Sequence, residues 1–261
     1  MIILLHTSKT MRDAPPADGW SSTGRLGTPA LVTRAAELVA AVRDLTPDQI
    51  ASAMKVSLPL AGKTHDTFAA WTTDPDRLMP AAESFLGDIY SGLRVASWSA
   101  ADRRYATAHL RILSGLYGVL RPFDGISPYR LEMGYRLPVI GSLYSFWGSA
   151  VAAELPSRGP IVNLAANEYS KVVLPFVDAA RVVTPRFLTV EPASGEPKFV
   201  AVHAKIARGA FARWLVMSGG SASVGDFAEL GYRLDPDRGT DREPCFVCTE
   251  FAGKGLSVRL T

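Results

Sequence analysis

The sequence predicts a mixed α/β fold, a single compact domain with a central mixed sheet and surrounding helices. Short, wholly apolar runs, Ile2 to Leu5 and Ile161-Val162 before Asn163-Leu164, end in polar clusters, as strands buried on both faces do. Longer segments repeat at helical spacing, most clearly Leu31, Ala35, Leu38, Val39 and Val42. The chain has 261 residues, of which 48% are apolar, enough for one large core. No internal repeat or low-complexity tract divides it, so residues 1–261 are one unit, with 235–261 read as a loosely packed C-terminal tail.

The first strand, Ile2 to Leu5, ends at His6-Thr-Ser-Lys-Thr10, and polar groups at strand ends are where α/β proteins place ligands. Arg12 to Thr28 reads as loop. A helix follows from Pro29, with proline at its first position. Thr46 and Gln49 have capping-box spacing, and that helix should reach about Val56. Ser57-Leu-Pro-Leu-Ala-Gly-Lys-Thr64 then reads as a turn before a second helix through Phe68 and Trp71. Residues 46–72 are thus a candidate helix-hairpin-helix, whose backbone N–H groups would grip phosphates with Lys63 as the cationic ligand. Leu60 stands where such turns carry a first Gly, and the alternative is an ordinary helical hairpin. Gly115-Leu-Tyr-Gly118 is a lower-ranked second candidate, after a helix capped by Ser99 with Asp102.

Helices are expected over 78–93, 143–155 and 205–216, the last closed by Gly219-Gly220. Strands are expected at 160–164, 181–184, 186–190 and 198–203, the last two as a hairpin, and late strands at 231–234 and 245–251. The apolar start is too short for a signal h-region and no run of 18 apolar residues occurs. These features exclude a membrane protein and point to a soluble, cytoplasmic one.

Net charge is +3, but it is unevenly spread. Residues 101–136 hold six Arg against three acids, and 198–214 hold Lys198, Lys205, Arg208 and Arg213 with no acid. Where such segments meet they make an electropositive concavity for phosphate. If they do not meet, they are a solvated surface. Cys245 and Cys248 form a C-x-x-C read as strand interior, where i and i+3 face opposite sides and a disulfide is awkward. The four His show no ligand spacing, so no metal or cofactor is expected. GxSxG, GxxxxGK[ST], HExxH and strand-linked GxGxxG are absent.

From Leu110 to Leu137 the chain breaks every regular period while crowding Arg111, Arg121, Asp124, Arg130, Glu132 and Arg136 among Tyr117, Tyr129 and Tyr135. With its L-S-G-L-Y-G-V-L-R-P and P-Y-R-L-E-M-G, it resembles the YaaA family (DUF328, UPF0246). Further matching blocks are Ile2-Ile-Leu-Leu with Ser8-Lys9-Thr10, Phe85 to Leu93, Leu143 to Gly148, Asn163 to Lys171 and Ala204 to Arg213. The resemblance implies a cytoplasmic protein of hydrogen peroxide resistance, with DNA binding through a helix-hairpin-helix on an uncommon mixed α/β fold. One departure stands out, because where the family reads S-P-A-K-T this chain reads His6-Thr-Ser-Lys-Thr10, which brings in a group that titrates near neutrality.

Two functions compete. The first is a DNA-binding protein, acting on duplex or distorted DNA without sequence preference, with Lys9, Thr10, Lys63, Arg121, Arg130, Asn163, Lys171, Lys205 and Arg208 on phosphates. The second is an enzyme on a small anionic or nucleotide-like substrate, in which Glu132 and Glu168 move protons and Lys9 assists. An interior network pairing Arg130 with Glu132 or Arg121 with Asp124 is the structural alternative. A redox sensor using the two cysteines ranks third. No protein partner is legible.

Overall fold

The computed structural model describes residues 1–16, 19–20 and 24–249. The first apolar run forms β1 (Ile2–His6), buried throughout, and β2 (Thr10–Met11) follows it. Helix α1 (Val32–Arg43) buries Ala35, Leu38, Val39 and Val42, the stripe that the spacing predicts, but it starts at Val32 rather than at Pro29. Helix α2 (Pro47–Met54) carries the expected capping box, in which Thr46 Oγ1 accepts from Gln49 N and Gln49 Oε1 accepts from Thr46 N.

Helix α3 (Leu58–Ala69) corrects the hairpin reading. The chain turns at Lys55, in the left-handed region, and Leu58-Pro-Leu-Ala-Gly-Lys63 is the first half of α3 rather than a phosphate-gripping turn. Pro59 sits in the first turn, where its missing N–H has no helical partner to lose. Lys63 is therefore on an exposed helical flank.

The single helix expected over 78–93 is instead β3 (Met79–Pro80), α4 (Ala81–Ser84), β4 (Phe85–Leu86) and α5 (Asp88–Leu93). Pro80 lacks the N–H that an interior position requires, and Gly87 has a positive φ. Ser99 and Asp102 cap α6 (Ala100–His109), which passes directly into β5 (Leu110–Ser114). β6 (Gly118–Leu120) returns antiparallel to β5, so Gly115 to Gly118 is the turn of a β-hairpin, not a helical one.

Three short strands follow: β7 (Gly125–Ile126), β8 (Arg136–Leu137) and β9 (Gly141–Ser142). Gly148, at φ 50, divides the helix expected over 143–155 into α7 (Leu143–Trp147) and α8 (Ala150–Ala153). Then come β10 (Ile161–Asn163), α9 (Asn167–Ser170), β11 (Val182–Val183), β12 (Arg186–Val190), β13 (Pro197–Lys198), α10 (Ala201–Met217), β14 (Tyr232–Asp235) and β15 (Cys245–Cys248). The 186–203 hairpin forms, but only Pro197 and Lys198 pair, and residues from Ala201 belong to α10. Within the segment read as a loose tail, β15 is paired on both sides, with Cys245 and Cys248 buried and not joined in a disulfide. Residues 250–261 lie outside the described residues.

Two sheets organise the molecule. One has the order β11-β10-β1-β5-β6, parallel except for β6, and the other β13-β12-β15-β14. The chain leaving β1 crosses to β5 on one side, while the chain leaving β10 goes to β11 on the other. The carboxyl ends of β1 and β10 thus flank a topological switch point, where open α/β sheets hold ligands. α10 lies across α5 with backbones in contact, since a Cβ on Gly209 or Gly92 would collide with the carbonyls of Ile89 and Ile206. Among the described residues no helix is long and apolar enough to cross a membrane.

Candidate functional site

The polar side chains buried at the strand ends concentrate at this switch point. His6 and Thr7 leave β1, Ser114 ends β5 and Asn163 ends β10, all buried. Asn163 shapes the loop, as its Oδ1 accepts from Ala165 N at 3.2 Å and its Nδ2 donates to Thr184 Oγ1 at 3.3 Å. That loop delivers Ala166 N to His6 Nδ1 at 3.1 Å and lays the Tyr169 ring against the imidazole, centroids 4.9 Å apart. Because Nδ1 accepts a backbone N–H, the neutral imidazole carries its proton on Nε2. Burial, with Arg208 and then Lys205 nearby, depresses the His6 pKa to about 3.

Glu132 enters from the other side. Gly115 allows this, since a Cβ there would collide with the Leu131 carbonyl. Tyr169 OH donates to Glu132 Oε2 at 2.9 Å and accepts from Thr7 Oγ1 at 3.3 Å. Burial raises the Glu132 pKa and nearby Glu168 adds to this, while Tyr169, Lys9 and Arg130 oppose it. Burial raises the Tyr169 hydroxyl as well, and the Glu132 charge pushes it further. Glu168 Oε1 accepts from Gly134 N at 2.9 Å, fixing the 132–135 turn. Tyr90 OH donates to His6 O at 3.1 Å, and Ser114 Oγ and Tyr129 OH share a hydrogen bond of 2.7 Å.

Cations surround this network. Lys9 and Arg130 act on Glu132, and Lys205 and Arg208 act on His6. Arg130 Nη1 donates to Lys9 O at 3.3 Å, while its Nε is buried without a hydrogen-bond partner. The two basic segments of the sequence therefore meet around the network, which combines several positive charges with a buried carboxylate and a neutral imidazole. Such a set can hold an anion and exchange a proton with it. Among the described residues no group of three or more His, Cys, Asp or Glu gathers as a metal site.

A family model described as peroxide stress protein YaaA matches residues 1–238. The chain is 57% identical to a UPF0246 protein of Salinispora tropica, over 99% of this chain and 98% of that one. The chain belongs to the YaaA peroxide stress protein family, UPF0246. It is also 40% identical to a UPF0246 protein of Burkholderia lata (92% of this chain, 96% of that one) and 42% identical to one of Janthinobacterium sp. (84% and 86%).

In this YaaA-family chain the candidate residues separate into groups. Lys9, Arg130, Glu132, Glu168, Lys205 and Arg208 converge around His6 and Tyr169. Thr10 lies in β2, paired with Leu86, beside them. Asn163 is spent on the loop and on Thr184 rather than offered to an anion. Lys171 is exposed just after α9, and Lys63 is on the flank of α3. Arg121 is exposed next to Asp124, whose Oδ2 accepts from the Arg121 backbone N at 2.8 Å.

The two interior pairs do not form: among the described residues neither Arg130 with Glu132 nor Arg121 with Asp124 makes a salt bridge. Glu132 accepts from the Tyr169 phenol and Asp124 from a backbone amide instead. Sequence reasoning missed Thr7, Tyr169 and Tyr90. Tyr169 had one available signal, its position in the polar segment just beyond a buried strand.

Proposed function

We propose that this YaaA-family protein binds the phosphates of DNA, duplex or distorted, in the basic crevice at the ends of β1 and β10, and protects it in the cytoplasm during peroxide stress. The observation that carries the reading is the convergence of Lys9, Arg130, Lys205 and Arg208 around the Glu132 and His6 network. Phosphate oxygens are strong acceptors for Lys and Arg donors. Binding of this kind is steeply salt-dependent and indifferent to sequence. The exposed α3 flank with Lys63 contributes little, since its L-P-L-A-G-K is helix and presents no turn of backbone amides.

The test is a titration of labelled duplex and bubble DNA at several salt concentrations, comparing the protein with Lys205→Ala/Arg208→Ala. The variant should lose affinity for all sequences alike, with a salt slope smaller by about 1–2. Equal affinity in both proteins would remove this crevice as the DNA site.

A second reading is favoured by the Thr7, Tyr169 and Glu132 chain, which a passive phosphate clamp does not need. In it Glu132 is the general acid or base toward an anionic or nucleotide-like substrate, with Lys9 and Arg130 orienting it and Glu168 fixing the turn beside it. Turnover of such a substrate that disappears in Glu132→Gln while binding persists would establish it. Unchanged turnover would refute it.

A further inference from the structure

A cleft of about 650 Å³ opens beside the crevice, between the β2 segment with the loop through Trp20 on one wall and the α4–α5 segment on the other. The two are linked through Thr10 and Tyr90. Thr10 lines the cleft and follows Lys9, whose carbonyl accepts from Arg130. Tyr90 also lines the cleft, and its hydroxyl reaches back to His6 O at the crevice floor.

The cleft walls have a different chemistry from the crevice. Half-buried Trp20 offers aromatic surface, the buried Phe85 and Tyr90 back the opposite wall, Asp88 and Ser91 offer hydrogen-bonding groups, and Arg94 stands at the exposed rim. A bare phosphate makes no use of such walls, and a duplex is too wide to enter them. The volume falls within the range that encloses a small organic ligand. A flat, hydrogen-bonding ring stacked on an aromatic face, joined to an anionic group that reaches the cations, satisfies both spaces at once.

A second cleft of about 550 Å³, lined by Leu26, Pro29, Trp71, Leu78 and Tyr117, shares only Trp20 with the first and includes neither Thr10 nor Tyr90, the residues that adjoin the crevice. It lacks this juxtaposition.

We propose that the cleft through Tyr90 and Asp88 receives the nucleoside of a single nucleotide whose phosphate lies between Lys9 and Arg130. The proposal rests on the phosphate-binding reading of the crevice and gives it a substrate class. The nucleotide is either free or turned out of a strand, which is how proteins reach a base held in a stack.

Calorimetric titration with adenosine, guanosine, cytidine and thymidine monophosphates, each beside inorganic phosphate, tests it on the wild-type chain and on Ala96→Trp. Ala96 is an exposed residue at the cleft edge, so a large side chain there fills the cleft without entering the core. If the melting curve shows Ala96→Trp to be misfolded, Arg94→Ala at the same rim serves instead. At least one nucleotide should bind about tenfold more tightly than phosphate, the scale of one base stacked on an aromatic ring. The variant should erase that margin and leave phosphate binding intact.

Bubble DNA separates the two sources. Affinity for bubble DNA that falls in the variant while free nucleotides bind no better than phosphate assigns the cleft to a base turned out of a strand. Nucleotides that bind no better than phosphate, with bubble DNA bound equally by variant and wild type, overturn the proposal. If Lys205→Ala/Arg208→Ala still weakens DNA binding in that case, the crevice reading survives alone, whereas if phosphate, nucleotides and DNA all fail to bind, both fall.

Discussion

At the end of β1 the buried side chains Thr7, Tyr169 and Glu132 are joined by hydrogen bonds, with His6 stacked on Tyr169 and accepting from Ala166 N, whereas between β12, β15 and α10 a cluster of rings is buried. There Phe187 stacks on Phe246 at 5.6 Å, and Phe211 meets Phe227 at 4.7 Å. Both sets of side chains are buried, but burial has opposite consequences in them. Ring packing removes apolar area from water and stabilises the fold. Burying a carboxylate and an imidazole beside cations opposes folding unless every partner is in place. The C-terminal sheet therefore holds the molecule together, and the strand-end crevice draws on that stability. A fold keeps such a region where a ligand completes its interactions.

The contrast can be broken most forcefully at the rings. Phe246→Ala should destabilise the protein by about 3–5 kcal/mol, read from urea unfolding, while the folded fraction keeps its DNA affinity. An equal loss of affinity per folded molecule would show that the two regions are not separable.

The next effect is one of pH. The folded-state pKa of His6, about 3, lies below its ordinary value of 6.5. Between those values the unfolded chain binds the extra proton, so stability is fully present above pH 6.5 and falls as the pH is lowered toward 3. The slope from this one group is about 1.4 kcal/mol per pH unit. His6→Asn retains an acceptor for Ala166 N but does not titrate, so its acid-side stability profile should be flatter. Parallel profiles for the two proteins would remove His6 as the source.

The smallest effect belongs to Lys63. Lys63→Ala should change stability by no more than about 0.5 kcal/mol and leave DNA affinity as it was. A loss matching that of Lys205→Ala/Arg208→Ala would return the helical hairpin to the centre of DNA binding.

The sheet strands were legible because their signals are local. Ile2 to Leu5 and Ile161 to Asn163 are apolar runs with polar ends, and their central place in the sheet follows from burial on both faces. The capping boxes at Thr46 and Ser99 were equally plain. The helix over 78–93 failed because apolar spacing was weighed above Pro80 and Gly87, which divide it. The turn read at 57–64 is helix from Leu58, leaving the ordinary helical hairpin of α2 and α3, because L-P-x-x-G-K reads as a turn although proline is welcome in a first helical turn.

For the site, the residues named from charge clustering include Lys9, Arg130 and Glu132, which lie close together, and Lys205 and Arg208, which lie close to His6. It did not find Thr7 and Tyr169, since their hydrogen bond joins residues 162 positions apart. Asn163 was misread because a polar side chain at a strand end serves equally to turn the chain as to face a ligand.

The central claim is that anions bind where the β1 and β10 ends meet, and soaking crystals of the protein in tungstate, a heavy phosphate mimic, tests it most directly. The account predicts anomalous density within hydrogen-bonding reach of Arg130, beside Lys9 and Arg208. Density confined to the α2–α3 surface near Lys63, with none in the crevice, would contradict it.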